Sequence, residues 1–140
     1  MTEEIITFET AKLAKEINFD IIQNYDEISS LYNEEGNHVY YHNYGFMYSG
    51  LEDNYISAPT QSLLQKWLRE ELNMLVYVEN SGGFWNWVVE HKNGYMEGKS
   101  LNEDVEITFE QQLETGLQVA LKYLLNIENN IDMINKNNKK

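Results

Sequence analysis

The sequence predicts an α+β fold: an antiparallel sheet of three to five strands packed against two main helices as a two-layer sandwich. Three observations predict it. Residues 59–72 carry apolar side chains at Leu63, Leu64, Trp67, Leu68 and Leu72, the spacing of a helix with one buried face. Residues 74–98 alternate short β-rich runs with turn residues. A second one-faced helix begins at a capping-box sequence, Thr108-Phe109-Glu110-Gln111. One-faced helices and hairpin-linked strands hide their apolar surfaces by stacking as two layers.

In chain order, Thr7 is suited to cap a short helix over Phe8 to Ile17, with Asn18 as its stop. Glu34-Glu35-Gly36-Asn37 reads as a turn before a strand at His38-Val39-Tyr40-Tyr41-His42. A further extended piece is expected around Tyr44 to Tyr48, weakened by Gly45. Pro59 fits a first helical position, where a missing N–H costs nothing, with Ala58 or Thr60 as the cap. Met74 to Glu79 reads as a strand, Asn80-Ser81-Gly82-Gly83 as a turn and Phe84 to His91 as the next strand. Asn93-Gly94 suits a type I′ turn, so Tyr95 to Gly98 is expected to return antiparallel. Trp85, Trp87 and Val89 are expected to face the core with Trp67, leaving Asn86 and Glu90 on the more exposed side; if exposed, the two tryptophans become the first interaction anchors to test.

The last helix is expected from 109 to about 135. Leu113, Leu117, Ala120, Leu124, Ile127, Ile131 and Ile134 form a heptad-like seam that Leu121 and Leu125 widen over its middle. At about 1.5 Å per residue it is longer than a domain of this size covers with its own sheet. Residues 1–125 therefore read as one domain and 126–140 as a helical extension with an Asn- and Lys-rich tail. Ile127, Ile131 and Ile134 are the candidate self-association residues, with a homodimer as the expected product, against fraying as the alternative.

The 140 residues include 10 Lys or Arg and 23 Asp or Glu, a net charge of −13, which repels nucleic-acid phosphates and anionic membranes. Direct nucleic-acid and membrane partners are not expected. The absence of cysteine removes disulfides, thiolate nucleophiles and Cys-based metal sites. Neither a basic, apolar leader nor a run of about 18 apolar residues is visible, so a cytoplasmic location is the expectation.

No constellation converges on a catalytic, cofactor or metal site. His38 and His42 have helical ligand spacing but lie in a predicted strand, where four residues span about 13 Å. Glu90 and His91, as strand neighbours, point to opposite faces. Gly82-Gly83 sits between strands, without the spacing of a phosphate loop. Glu34-Glu35, Glu52-Asp53 and Glu103-Asp104 are adjacent carboxylates without the alternation of a calcium loop, and read as solvated turns. The richest feature is aromatic. Tyr25, Tyr32, Tyr40, Tyr41, Tyr44, Phe46, Tyr48 and Tyr55 crowd one stretch with few aliphatics. Tyrosine offers contact area at low entropic cost, which makes Tyr40, Tyr41, Tyr44, Tyr48 and Tyr55 the candidate protein-contact residues; packing between sheet and helix is the plainer alternative.

Residues 57–72 (SAPTQSLLQKWLREEL), the aromatic run Phe84 to Val89, the 108–121 block (TFEQQLETGLQVAL) and the opening Ile6 to Ala14 together resemble a group of small uncharacterised proteins of Bacteroidetes and their phages. The resemblance reaches about residue 125. It carries no catalytic residue across, and implies an accessory protein of a phage or mobile element. The expected function is then non-enzymatic contact with a host protein. The alternatives are an acidic inhibitor that imitates nucleic acid and, third, a small enzyme gathering at least two of Glu52, Asp53, Glu90 and His91.

Overall fold

The structure, a computed structural model, describes residues 4–17, 19, 30–40, 56–92, 94–98 and 107–137; at 30, 39, 40 and 128–137 it describes the backbone alone. The elements are α1 (Phe8–Glu16), β1 (Ser30–Tyr32), β2 (His38–Tyr40), β3 (Ile56–Ser57), α2 (Gln61–Leu72), β4 (Leu75–Ser81), β5 (Phe84–His91), β6 (Gly94–Gly98) and α3 (Phe109–Asn137). The α+β class is as the sequence predicts. Two differences stand out. Strands form two three-stranded antiparallel sheets, β2-β1-β3 and β4-β5-β6, where a single sheet was expected, and α1 joins α2 and α3 as a third core helix.

Local chemistry places the helix starts. Thr7 Oγ1 accepts from Thr10 N at 3.3 Å, and Thr60 Oγ1 accepts from Leu63 N at 3.2 Å. Thr60 is thus the cap of α2. Pro59 lies outside the helix, where its carbonyl accepts from Ile6 N at 3.0 Å while Glu4 O accepts from Gln61 N at 2.8 Å. Before α3 the capping box closes in both directions, Gln111 N to Thr108 Oγ1 at 3.1 Å and Thr108 N to Gln111 Oε1 at 2.9 Å. Asn73 ends α2 in the left-handed region at φ 53°.

The meander registers set its faces. Ser81 pairs with Phe84, and Gly82 and Gly83 have φ of 62° and 90°, so the first hairpin turns on two residues where the sequence suggested four. His91 pairs with Gly94, so Gly94 opens β6 where the sequence reading put it in the turn. Alternation then sends Val76, Val78, Trp85, Trp87, Val89, His91 and Met96 to one face and Leu75, Tyr77, Glu79, Phe84, Asn86, Val88, Glu90, Tyr95 and Glu97 to the other. α3 covers the first face: Gly116 lies against Trp87 and Val76, and Tyr123 against His91. Ile6, Ala11, Ala14, Phe19, Leu64, Trp67, Leu68, Met74, Leu113, Leu117, Ala120 and Leu121 complete the core. At the β4 edge, the Gln65 amide donates to Val76 O at 2.6 Å, so α2 occupies an edge carbonyl that another strand would otherwise seek.

The smaller sheet sits beside α1. Asn33 Oδ1 accepts from Glu35 N and Asn37 N at 3.0 and 2.9 Å and holds the predicted turn. Tyr32 donates to Ile6 O at 2.5 Å; burial first, then the charges of Glu114 and Glu4, raise its pKa.

Candidate protein-contact surface

The two-residue turn at Gly82-Gly83, steadied by Gly83 N donating to Asn80 Oδ1 at 3.2 Å, holds Phe84 and Trp85 at the end of the sheet. Trp85 points to the α3 side. The capping box fixes where α3 begins and so stands Phe109, its first residue, edge-on to the indole, with ring centroids 5.4 Å apart at 90°. Trp85 is 37% exposed, Phe109 38% and Phe84 50%. Three large rings therefore meet solvent at one end of the domain, although the core beneath them is closed.

The outer face of the meander differs in chemistry. Tyr77 donates to Glu90 Oε1 at 3.1 Å and Tyr95 to Glu97 Oε2 at 3.0 Å. Glu79, Glu90 and Glu97 put three carboxylates on this face, with Leu75 and Tyr95 exposed at its rim. The hydrogen bond to Glu97, followed by desolvation, pushes the Tyr95 pKa from 10.0 up to about 12. Because the protonated phenol is favoured in the folded state, any stability it brings is present below pH 10 and is lost between 10 and about 12. A spectrophotometric titration is expected to show Tyr95 among the late tyrosines, and Glu97→Gln to return its share of the signal toward the ordinary range. At the centre of this face Val88 is buried and Asn86 is 3% exposed, with no partner for its Oδ1 among the described residues. The expectation that Asn86 marks the exposed side is corrected: strand alternation does place it opposite the α3 face, but the centre of that outer face is closed.

Of the candidate contact tyrosines, Tyr40 closes β2 as backbone and its side chain lies outside the described residues, as do Tyr41, Tyr44, Tyr48 and Tyr55 entirely. Ile127 is half-buried on α3; Ile131 and Ile134 are helical, with side chains outside the description. His38 meets the Tyr32 ring at 5.7 Å, and residue 42 is outside the described set. Glu90 faces Tyr77 while His91 faces Tyr123 on the opposite side of β5, so the two do not converge. Glu52, Asp53, Glu103 and Asp104 lie outside the described residues, and Glu34 and Glu35 are exposed in their turn. Among the described residues no three His, Asp or Glu side chains are grouped to hold a metal, and no helix is long and apolar enough to cross a membrane.

A polar cluster around Glu114 escaped the sequence reading. Its Oε2 accepts from Thr7 N at 3.1 Å, Thr7 Oγ1 at 3.2 Å and the Thr10 hydroxyl, and its Oε1 from Gln61 Nε2 at 3.0 Å. Gln118 Nε2 adds a bond to Thr10 Oγ1 at 3.0 Å, and Gln61 Nε2 a second to Glu110 O at 2.9 Å. The carboxylate sits at the N-terminus of α1, where the helix dipole favours negative charge. With four donors on two oxygens it joins three helices rather than offering a free base. Only Thr7 carried a sequence signal, as a cap.

No protein-family model, curated protein or solved structure matches the chain.

Proposed function

We propose that the protein acts by contact with another protein, through the aromatic end formed by Trp85, Phe84 and Phe109. The observation that carries this reading is the exposed edge-to-face pair of Trp85 and Phe109, both more than a third exposed. Trp is the residue type most enriched among anchors that dominate binding energy, and a rigid ring pair loses little entropy on docking. The side chains of Tyr40, Tyr41, Tyr44, Tyr48 and Tyr55 lie outside the described residues, and this reading rests on the hairpin end instead. A partner with a basic rim suits a chain of net charge −13. The resemblance to Bacteroidetes and phage proteins supports reading that partner as a host protein and this chain as a non-enzymatic accessory factor.

The test is capture of partners from a Bacteroidetes lysate with the tagged full chain and a Trp85→Ser/Phe109→Ser variant, at low and high salt and with nuclease. A protein held by the parent chain in nuclease and lost from the folded variant supports the reading. Equal capture by both overturns it. Capture abolished by salt alone would favour imitation of nucleic acid instead.

Self-association rests on a separate observation. α3 continues to Asn137, well past Leu121, the last buried residue of the helix among those whose side chains are described. The Ile127, Ile131 and Ile134 stripe lies on that extension. The full chain is expected to show twice the monomer mass in solution, and a chain cut after Leu125 the monomer mass; equal masses remove the idea.

A further inference from the structure

The outer face of β4–β5–β6 contains a buried acceptor with nothing to accept from. Asn86 is 3% exposed, and its Oδ1 has no hydrogen-bond partner among the described residues. Glu79 stands directly opposite it on β4, and Glu97 stands opposite Val88, the next residue of β5 on the same face. Directly opposed Cβ atoms lie roughly 4.5–5.5 Å apart and diagonal neighbours about 7–8 Å, so one carboxylate flanks the amide on each side. Phe84, the preceding residue on this face, is half-exposed. The positions of β4, β5 and β6 on this face include no Lys or Arg, and the single ion pair among the described residues, Lys12 with Glu9, belongs to α1.

An unfilled amide oxygen between two carboxylates, beside an exposed ring, is a set of acceptors that lacks a charged donor among the described residues. We propose that Asn86, Glu79, Glu97 and Phe84 form a binding site for an arginine side chain presented by a protein partner. The guanidinium supplies several coplanar N–H donors, enough for an amide oxygen and a carboxylate together, and its face stacks on an aromatic ring. Tyr95 already donates to one oxygen of Glu97, which leaves the other for the ligand. Phe84, Glu79 and Glu97 are exposed, so an arginine held among them has its charge neutralised by the two carboxylates as its hydration is removed. This inference rests on the contact reading above, because it names a group the partner brings.

The test is a nuclear magnetic resonance titration of the isotope-labelled full chain with acetyl-Gly-Arg-Gly-amide and with its citrulline counterpart, which keeps the shape and loses the charge. Saturable shifts of the Asn86 side-chain amide are expected with the arginine peptide, and binding about ten-fold weaker with citrulline and in Asn86→Leu. Asn86→Leu is expected to keep or raise the melting midpoint, since it removes an unsatisfied amide from a closed site, so lost binding is not lost folding. If that variant does not fold, Glu79→Gln/Glu97→Gln takes its place, with the same expected weakening. Absence of saturable shifts, equal binding of citrulline, or binding unchanged in the folded variants overturns the site. The Trp85→Ser/Phe109→Ser variant leaves this titration intact, so failure of the aromatic-end reading and failure of the arginine site are told apart.

Discussion

Replacing Gly98 by alanine is expected to lower stability by about 2–3 kcal/mol, the upper part of the range for overpacking a closed site. A Cβ at Gly98 would lie 2.2 Å from Trp87 Cε2 and Nε1 and 2.4 Å from Cζ2, far inside van der Waals contact, because Trp87 pairs with Gly98 across β5 and β6 and lays its indole over the glycine. The indole cannot retreat toward α3: Gly116 already stands against its Cβ, at 3.1 Å from where a further methyl would sit. Either β6 moves away and loses ladder hydrogen bonds, or Trp87 leaves a low-energy rotamer. Thermal unfolding of Gly98→Ala measures the loss. Trp87→Leu in the same chain is expected to recover part of it, and a double-mutant cycle with coupling near zero would show that the steric account is wrong.

Glu114→Ala is expected to cost about 2 kcal/mol, because it strips the acceptor from Thr7 N, Thr7 Oγ1, the Thr10 hydroxyl and Gln61 Nε2 in one change. Thr10 and Gln61 are buried and have the most to lose; Thr7 is at the surface and water replaces its partner. At roughly 3–4 °C per kcal/mol for a chain of this length, the midpoint falls by several degrees. Glu114→Gln is expected to lie between, since its amide oxygen still accepts but its NH2 group meets other donors. A Thr10→Val change in the Glu114→Ala background is expected to add little, as the hydroxyl already lacks its acceptor; fully additive losses would mean that the two do not share an interaction.

How much was legible in the sequence follows from how far apart the interacting residues lie in the chain. The helix caps at Thr7, Thr60 and Thr108, the turn at residues 34–37, the hairpin at Gly82-Gly83 and the one-faced character of α2 and α3 are set by groups three or four residues apart. Local dihedral preferences and local hydrogen bonds determine such features before any packing occurs. Even there, tertiary partners moved boundaries: Pro59 was drawn out of α2 because its carbonyl pairs with Ile6 and the N-terminal segment runs beside it.

Of the candidate site, the sequence made Phe84, Trp85 and Trp87 visible as an aromatic strand but not which ring meets solvent. That depended on α3 lying over Trp87 through Gly116 while setting the ring of Phe109, its first residue, edge-on to Trp85. The closed centre of the outer face, with Asn86 unpartnered in it, depended on packing around three strands in register. The Glu114 cluster joins residues 107, 104 and 53 positions apart. By itself, then, the sequence determined an acidic, cysteine-free α+β chain, the order of its three helices and of β2, β4, β5 and β6, and the caps at Thr7 and Thr108, because those follow from composition and from neighbours along the chain; β1 and β3 were not read from it. Only the tertiary structure decided the split into two sheets, the burial of Asn86, the exposure of the Trp85–Phe109 pair and the joining of three helices at Glu114, because each depends on groups that become neighbours only when the chain closes on its core.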